Sequence, residues 1–378
     1  MKHLLEIHIL QNFAPSNLNR DDTGSPKDAI FGGYRRGRIS SQCLKRAIRM
    51  YFRESNLVDK QHLAERTKRL VKEIHDRLVA EGKDSDQAER AAIAAITSMG
   101  SQKQFKVTKN KWGEQITDYL VFLGQQEIAC LTQIILDEWE TFTAKRVSVS
   151  RELKDKLEKC LDGGRAVDVA LFGRMLANLP EKNQDAACQV AHALSTHAVE
   201  REFDFYTAVD DLKPDDNAGA DMIGTVEFNS ACFYRYVALD LEKLRANLQD
   251  TELMLRGLEA FLRAMVKAKP SGKQNSFAAH NDPEYVLFTV RQEADPRNLA
   301  NAFEKPVRPS REKSLTEASV ERLEARWQKL SAAYGQDGAA WVLNLTDAQS
   351  QIGTPVGSLD ELVQSAMKAV RANLGLEV

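Results

Sequence analysis

The chain has 378 residues, 43% of them hydrophobic, and a formal net charge of -2; that supplies a sizeable core for one elaborated domain or two ordinary ones. No apolar run approaches the ~18 residues of a membrane-spanning helix, and the composition is not that of a disordered or low-complexity chain. The five cysteines (Cys43, Cys130, Cys160, Cys188, Cys232) are odd in number, widely separated and form no C-x-x-C pair, so neither a disulfide framework nor a zinc site is expected.

In chain order, Leu5, Ile7 and Ile9 alternate with Glu6, His8 and Leu10, the period of a strand with one face buried. Glu6 and two histidines interrupt this segment as a signal-peptide core, so a cytoplasmic chain is expected. A loop bearing glycine and proline follows. Ser40 or Ser41 then caps a helix with Leu44, Ala47, Ile48 and Tyr51 on its apolar face. From about residue 57 to 165 the pattern is mostly helical and reads as an insertion. Strand character is expected at 168–175 and 188–199, and more firmly at 227–239, where aromatic and β-branched residues cluster. A helix is expected over 250–267, a strand over 285–290, and helices after the capping boxes Ser314-Leu-Thr-Glu317 and Ser358-Leu-Asp-Glu361, with a strand at 341–345 between them. Without its insertions this order is β-α-β-β-α-β, an α+β, ferredoxin-like pattern shared by RNA-recognition modules.

The charge is uneven. Between Arg20 and Arg53 nine basic residues (Arg20, Lys27, Arg35, Arg36, Arg38, Lys45, Arg46, Arg49, Arg53) face three acids (Asp21, Asp22, Asp28), so a local excess of six positive charges sits in a chain that is acidic elsewhere, as a localised polyanion site requires. On the expected helix Gln42, Lys45 and Arg49 fall at i, i+3 and i+7 with Arg46 and Arg53 flanking, a ridge of donors able to track a phosphate backbone, with Ser40, Ser41 and the first-turn amides at its end. A solvated helix face is the alternative, but such faces usually mix signs and no acid occurs from Ala29 to Arg53.

Other motifs fail on inspection. Gly32 and Gly37 are spaced as in a phosphate-binding loop, yet Arg38 and Ile39 follow where Lys and Ser or Thr are needed. His192 and His197 have no carboxylate or histidine cluster, so no metal and no cofactor are expected. Asp21 and Asp22 beside Arg20 could serve a nuclease as general base or magnesium site, but turns and salt bridges are the commoner use of such a pair. Residues 200–224 carry eight acids against Arg201 and Lys213. That segment cannot cradle phosphate; its Phe203, Phe205, Tyr206 and Val209 are suited to wedging against bases.

The run SNLNRDDTGSPKDAIFGGYRRGRISSQCLKRAIR (16–49) closely resembles the guide-RNA-binding backbone subunits of type I-E CRISPR Cascade complexes. VALFGRM (169–175), HALSTH (192–197), FYTAVDDL (205–212), IGTVEF (223–228), FYRY (233–236) and NAFEK (301–305) are similar to that family in the same order. The resemblance implies a modified RNA-recognition palm, a helical fingers insertion and a β-hairpin thumb. It maps onto residues 1–54 (palm), 55–165 (fingers), 166–199 (palm strands), 200–224 (thumb) and 225–378 (remainder of the palm). It implies guide-RNA backbone contacts at Arg20, Lys27, Ser40, Gln42, Lys45 and Arg49. It also implies a base wedge formed by Met175, Phe205, Tyr206 and Ile223, with Phe205 where the family pattern has Trp. The function implied is non-catalytic: copies polymerise head to tail along crRNA, beside other Cascade subunits, and present its bases to target DNA in antiviral defence, with no membrane involved. The alternative is a metal-dependent ribonuclease like the related type III backbone subunits.

Overall fold

A computed structural model describes residues 3–100, 105–176, 179–208, 222–335 and 338–376. Two compact units are present. The first comprises Met1–Glu54, Gln189–Leu241 and Glu259–Val378; the second comprises Ser55–Cys188 and Glu242–Leu258.

The first unit is organised by one strand, β1 (His3–Ser16), which pairs antiparallel with Met222–Asp240 on one side and with Tyr285–Gln292 on the other. Ala193–Ser195 pairs antiparallel with Met222–Asp240 beyond it. In order of their occurrence these four strands lie 4-1-3-2 across the sheet, the ferredoxin-like arrangement. Further out, β2 (Asp28–Phe31) and β3 (Tyr34–Ile39) form a hairpin joined to Ala193–Ser195, and Ala339–Asn344 extends the opposite edge. The helices α1 (Ser41–Glu54), Leu315–Tyr334 and Leu359–Asn373 complete the α+β unit.

β1 departs from the expectation of one buried face: Leu5, Ile7 and Ile9 are buried, and so are Glu6 and His8 on the opposite face. The Glu6 carboxylate is tolerated there because it is paired with Arg291 and accepts several hydrogen bonds. Glu6 accepts from Tyr236 Oη at 2.7 Å, Arg291 Nη1 at 2.7 Å and the backbone N–H of Arg297 at 2.6 Å. Burial alone raises the pKa of Glu6, but His8 and these donors outweigh it and hold the carboxyl below its usual value. Tyr234 Oη accepts from the N–H of Leu299 at 3.0 Å and is 2.9 Å from His8 Nδ1. Burial keeps the His8 imidazole neutral, and the Trp327 ring packs edge-on against it at 5.9 Å.

Two expectations for the second unit are corrected. Residues 168–175 do not form a strand: Val167–Phe172 is helical and Gly173, at φ 77°, ends the helix. A short run buried on nearly all sides carries no periodicity to separate helix from strand; the Asp168 carboxylate anchors it by accepting from the N–H of Ala64 at 2.9 Å. The sulfurs of Cys130 and Cys160 are joined in a disulfide across 30 residues, because the middle of the helix Gln125–Asp137 lies beside Cys160, the C-cap of the helix Arg151–Lys159. This unit also runs past residue 165 to Cys188. Arg174 explains why: it donates to both oxygens of Glu127 at 2.7 Å and to the carbonyl of Lys182 at 3.1 Å, in a fully buried pair. Glu127 also accepts from the N–H groups of Gly124 and Gly163, so neither charge is left unsatisfied.

His8 gives the fold an acid limit. Burial lowers its pKa from 6.5 to about 4, so the folded chain binds fewer protons than the unfolded chain between those values. This contribution to stability is complete above pH ~6.5 and is lost as pH falls towards ~4, on the order of 3 kcal/mol in all. Urea unfolding at stepped pH is expected to show that fall, and His8→Gln is expected to flatten it. An equal acid slope in both proteins rules His8 out as its source.

Candidate nucleic-acid interface

The loop after β1 is built around three asparagine and aspartate side chains. Asn17 donates to the carbonyls of Gly24 at 2.9 Å and Glu227 at 2.8 Å. The Asn19 side chain accepts from the N–H of Ser40 at 2.8 Å, and its carbonyl accepts from the N–H of Lys27 at 2.9 Å. Asp21 Oδ1 accepts from Thr23 Oγ1, Thr23 N and Ser25 N at 2.7–3.0 Å; the Thr23 hydroxyl, with those amides, holds its carboxyl below the ordinary value. Asp21 is thus a turn former, while Asp22 is exposed. Asp28 ion-pairs with Arg35 and with Arg201, at 2.9 Å for the latter. Burial works against ionisation of Asp28, and the two guanidinium groups more than offset it.

Ser40 is the N-cap of α1: its hydroxyl accepts from the N–H of Cys43 at 3.3 Å and its carbonyl from that of Leu44 at 3.1 Å. The helix buries Leu44, Ile48, Arg49 and Phe52 and leaves Gln42 and Arg46 exposed, with Lys45 half-buried. The donor ridge is therefore rotated from its expected position. Arg49 is only 8% exposed, and the outermost cation of the helix is Arg46. The phase is readable from Leu44, Ile48 and Phe52 at i, i+4 and i+8, since Arg46 lies about 200° from Leu44. That signal identifies Arg46, which the residue set implied by the family resemblance lacks.

The basic side chains gather on two sides of the Leu18–Asn19 backbone. Arg20 and Arg46 line a groove of about 880 Å³ with Lys267, Lys269 and His280, opposed by Asp21, Asp22 and Glu54. Asp282 takes up Lys269 at 2.6 Å and Lys267 at 3.7 Å. Gly272 forms part of the wall; a Cβ there would fall 2.2 Å from the carbonyl oxygen of Leu18. On the other side Lys27 and Arg38 share a shallow depression with Asn229 and Phe233. Arg38 Nη1 is 3.3 Å from His192 Nδ1, and burial, then Arg38 and Lys27, lower the pKa of that imidazole, so it accepts the bond as a neutral ring.

Arg36 is different. It is fully buried and adds nothing to the surface field, a correction shared in part with Arg49. Its guanidinium donates to the carbonyls of Ser195 at 3.2 Å, Phe303 at 2.7 Å and Glu304 at 3.1 Å. The motifs GGYRRGR, HALSTH and NAFEK therefore meet at this one side chain. Gly32, at φ 60°, approaches the same place: a Cβ would lie 2.0 Å from the carbonyl oxygen of Glu304. Arg36 holds β2 and β3, and with them Arg35 and Arg38, in place.

The expected wedge lies on a two-stranded ribbon. Glu202–Ala208 pairs with Met222–Phe228, placing Tyr206 opposite Gly224 and Thr207 opposite Ile223. Phe203, Phe205 and Tyr206 are all exposed, Phe205 at 74%; alternation puts Phe203 and Phe205 on one face and Tyr206 on the other. The Tyr206 ring crosses the partner strand over Gly224, where a Cβ would lie 2.3 Å from Cζ. Residues 209–221, including Val209, and the side chain of Ile223 lie outside the described residues. Met175 belongs to the second unit and is 79% exposed. Among the described residues, no group of three or more His, Cys, Asp or Glu is arranged to hold a metal ion.

The Arg36 contacts predict a cost in stability. Arg36→Lys removes the planar fork that serves three carbonyls, so at least one buried acceptor loses its donor, and the urea midpoint is expected to fall by the equivalent of about 1–3 kcal/mol. A midpoint unchanged from the parent contradicts the anchoring role of Arg36.

The sequence profile of the CT1975-like protein family matches residues 5–365. A chain of a structure described as "CRISPR RNA-guided surveillance complex, pre-nicking" superposes with a TM-score of 0.87 at 32% identity, covering 96% of this chain and 100% of that one. A second, described as "CRISPR RNA-guided surveillance complex", gives 0.77 at 28% identity over 97% and 99%. No curated protein sequence matches the chain. Matched over nearly its whole length in both sequence and fold, the chain belongs to the CT1975-like protein family.

Proposed function

We propose that this protein is a subunit of a CRISPR RNA-guided surveillance complex of the type I-E kind, in which copies stand side by side along the guide RNA without catalysing a reaction. The observation that carries the reading is the end-to-end superposition on chains of such complexes. It is supported by the two basic clusters flanking Leu18–Asn19. In this reading Arg20, Lys27, Gln42, Lys45 and Arg46 face the guide backbone, so register comes from charge and sequence is left to base pairing with target DNA. Ser40 and Arg49 act from within: Ser40 as the helix cap and Arg49 from its buried position.

The ribbon gives the second half of the mechanism. A two-stranded hairpin exposed on both faces is marginal by itself, and Phe203, Phe205 and Tyr206 gain by covering unstacked bases at the junction with the next copy. The acids of residues 200–224 then suit a basic surface of that neighbour, favouring head-to-tail growth over closure. In this reading the protein works in the cytoplasm, away from membranes, with guide RNA, target DNA and other complex subunits as its partners.

Replacing Arg20 or Lys27 by Ala is expected to weaken RNA binding evenly across sequences and to lower the salt slope by about 0.7 per residue; unchanged slopes in both variants remove these residues from the interface. The ribonuclease alternative has its own test. With Asp21 engaged in the turn, complexes supplied with magnesium or manganese and complementary RNA are expected to leave that RNA intact, and cleavage abolished by Asp22→Ala overturns the non-enzymatic reading.

A further inference from the structure

The second unit carries a hairpin that the guide-RNA reading does not use. Val107–Lys109 pairs with Gln115–Thr117, and the turn between them is tightly specified. Asn110 Oδ1 accepts from the N–H groups of Trp112 at 2.9 Å and Glu114 at 3.0 Å, the N–H of Gly113 donates to the carbonyl of Asn110, and that of Asn110 to the carbonyl of Glu114. Glu114 accepts from Asn110 Nδ2 at 2.7 Å and from two guanidinium nitrogens of Arg69 at 3.2 and 3.3 Å. Thr117 is anchored through its N–H to the carbonyl of Lys68. The tip is fixed in advance.

What this rigid turn displays is an indole in a basic setting. Trp112 is 72% exposed and Tyr119 is 57% exposed. Lys111 Nζ sits 4.4 Å from the centroid of the indole ring, a cation over an aromatic face. Lys106, Lys109 and Lys111 are exposed, and among the described residues none of them has a carboxylate partner. The one acid of the turn, Glu114, is already engaged by Arg69. A large aromatic surface kept in water by a preorganised loop, ringed by uncompensated lysines, has the two elements of a sequence-tolerant single-strand site: a platform for an unstacked base and charge for the adjoining phosphates. A duplex offers no free base face to the indole.

We propose that the Trp112 hairpin is a second nucleic-acid site, binding a single-stranded polynucleotide by stacking a base on the indole while Lys109 and Lys111 meet the flanking phosphates. It is independent of the basic clusters around Leu18–Asn19, and the strand is either DNA or RNA, which share this chemistry. The test uses the guide-loaded protein, with fluorescein-labelled oligothymidylate and oligouridylate as separate probes. Trp112→Ala is expected to weaken binding of at least one probe by roughly ten-fold, with Trp112→Phe retaining most of the affinity. Lys109→Ala combined with Lys111→Ala is expected to lower the salt slope by about 1.4. Guide RNA retention is expected to stay unchanged in all of these variants, which separates the outcome from that of Lys27→Ala. Wild-type affinity of Trp112→Ala for both probes overturns the proposal. So does competition by polyglutamate as effective as that by the unlabelled oligonucleotides, which would make the tip a dock for an acidic protein.

Discussion

Three backbone carbonyls from two distant segments converge on the guanidinium of Arg36. Each is a buried acceptor that must find a donor, and one planar side chain with five N–H groups serves all three at once. The hairpin of β2 and β3 is thereby fixed both to the neighbouring strand and to the 303–304 segment. Arg35 and Arg38 on that hairpin are positioned in part by a charge that never reaches the surface, while Lys27 is held by the loop before it, its N–H donating to the carbonyl of Asn19.

The same economy recurs in the interior. Glu6 and Arg291 lie beneath the central strand, Glu127 and Arg174 inside the second unit. A buried ion pair contributes little net stability over an apolar equivalent, yet its loss on one side is costly. Here Glu127 engages Gly124, Gly163 and Arg174 together and so ties those three segments to one carboxylate. Residues 166–188 follow that carboxylate into the second unit.

Much of this was legible from the residues. The alternation of Leu5, Ile7 and Ile9 marked β1, the aromatic run marked the long strand paired to it, and Ser314 with Glu317 forms the expected reciprocal cap. What escaped was what depends on partners remote in sequence. Glu6 and His8 look like a solvent face until Tyr234, Tyr236 and Arg291 are beside them. Arg36 counts as surface charge until its acceptors are known. The 168–172 run has no period to read, and the Cys130–Cys160 pair becomes visible only when two helices meet. For the interface, loop chemistry identified Asp21 as a turn former, whereas the rotation of α1 needed Phe52 to complete the apolar stripe.

The strand Met222–Asp240 has 19 residues, on the order of 60 Å of extended chain. Its far half is buried beside β1, and its near half carries one edge of the exposed aromatic ribbon. The register of its pairing with β1 shifts between Phe13 and Ser16, opposite Ala231 and Asn229, where the two halves meet, and such an irregularity sets the local bend and twist with which the ribbon leaves the sheet. Were copies to stand in a row with each ribbon reaching its neighbour, the angular step between them would be an elastic property of this strand. A bulge introduced anywhere along it would change the pitch of the whole assembly without touching a single residue at the contact.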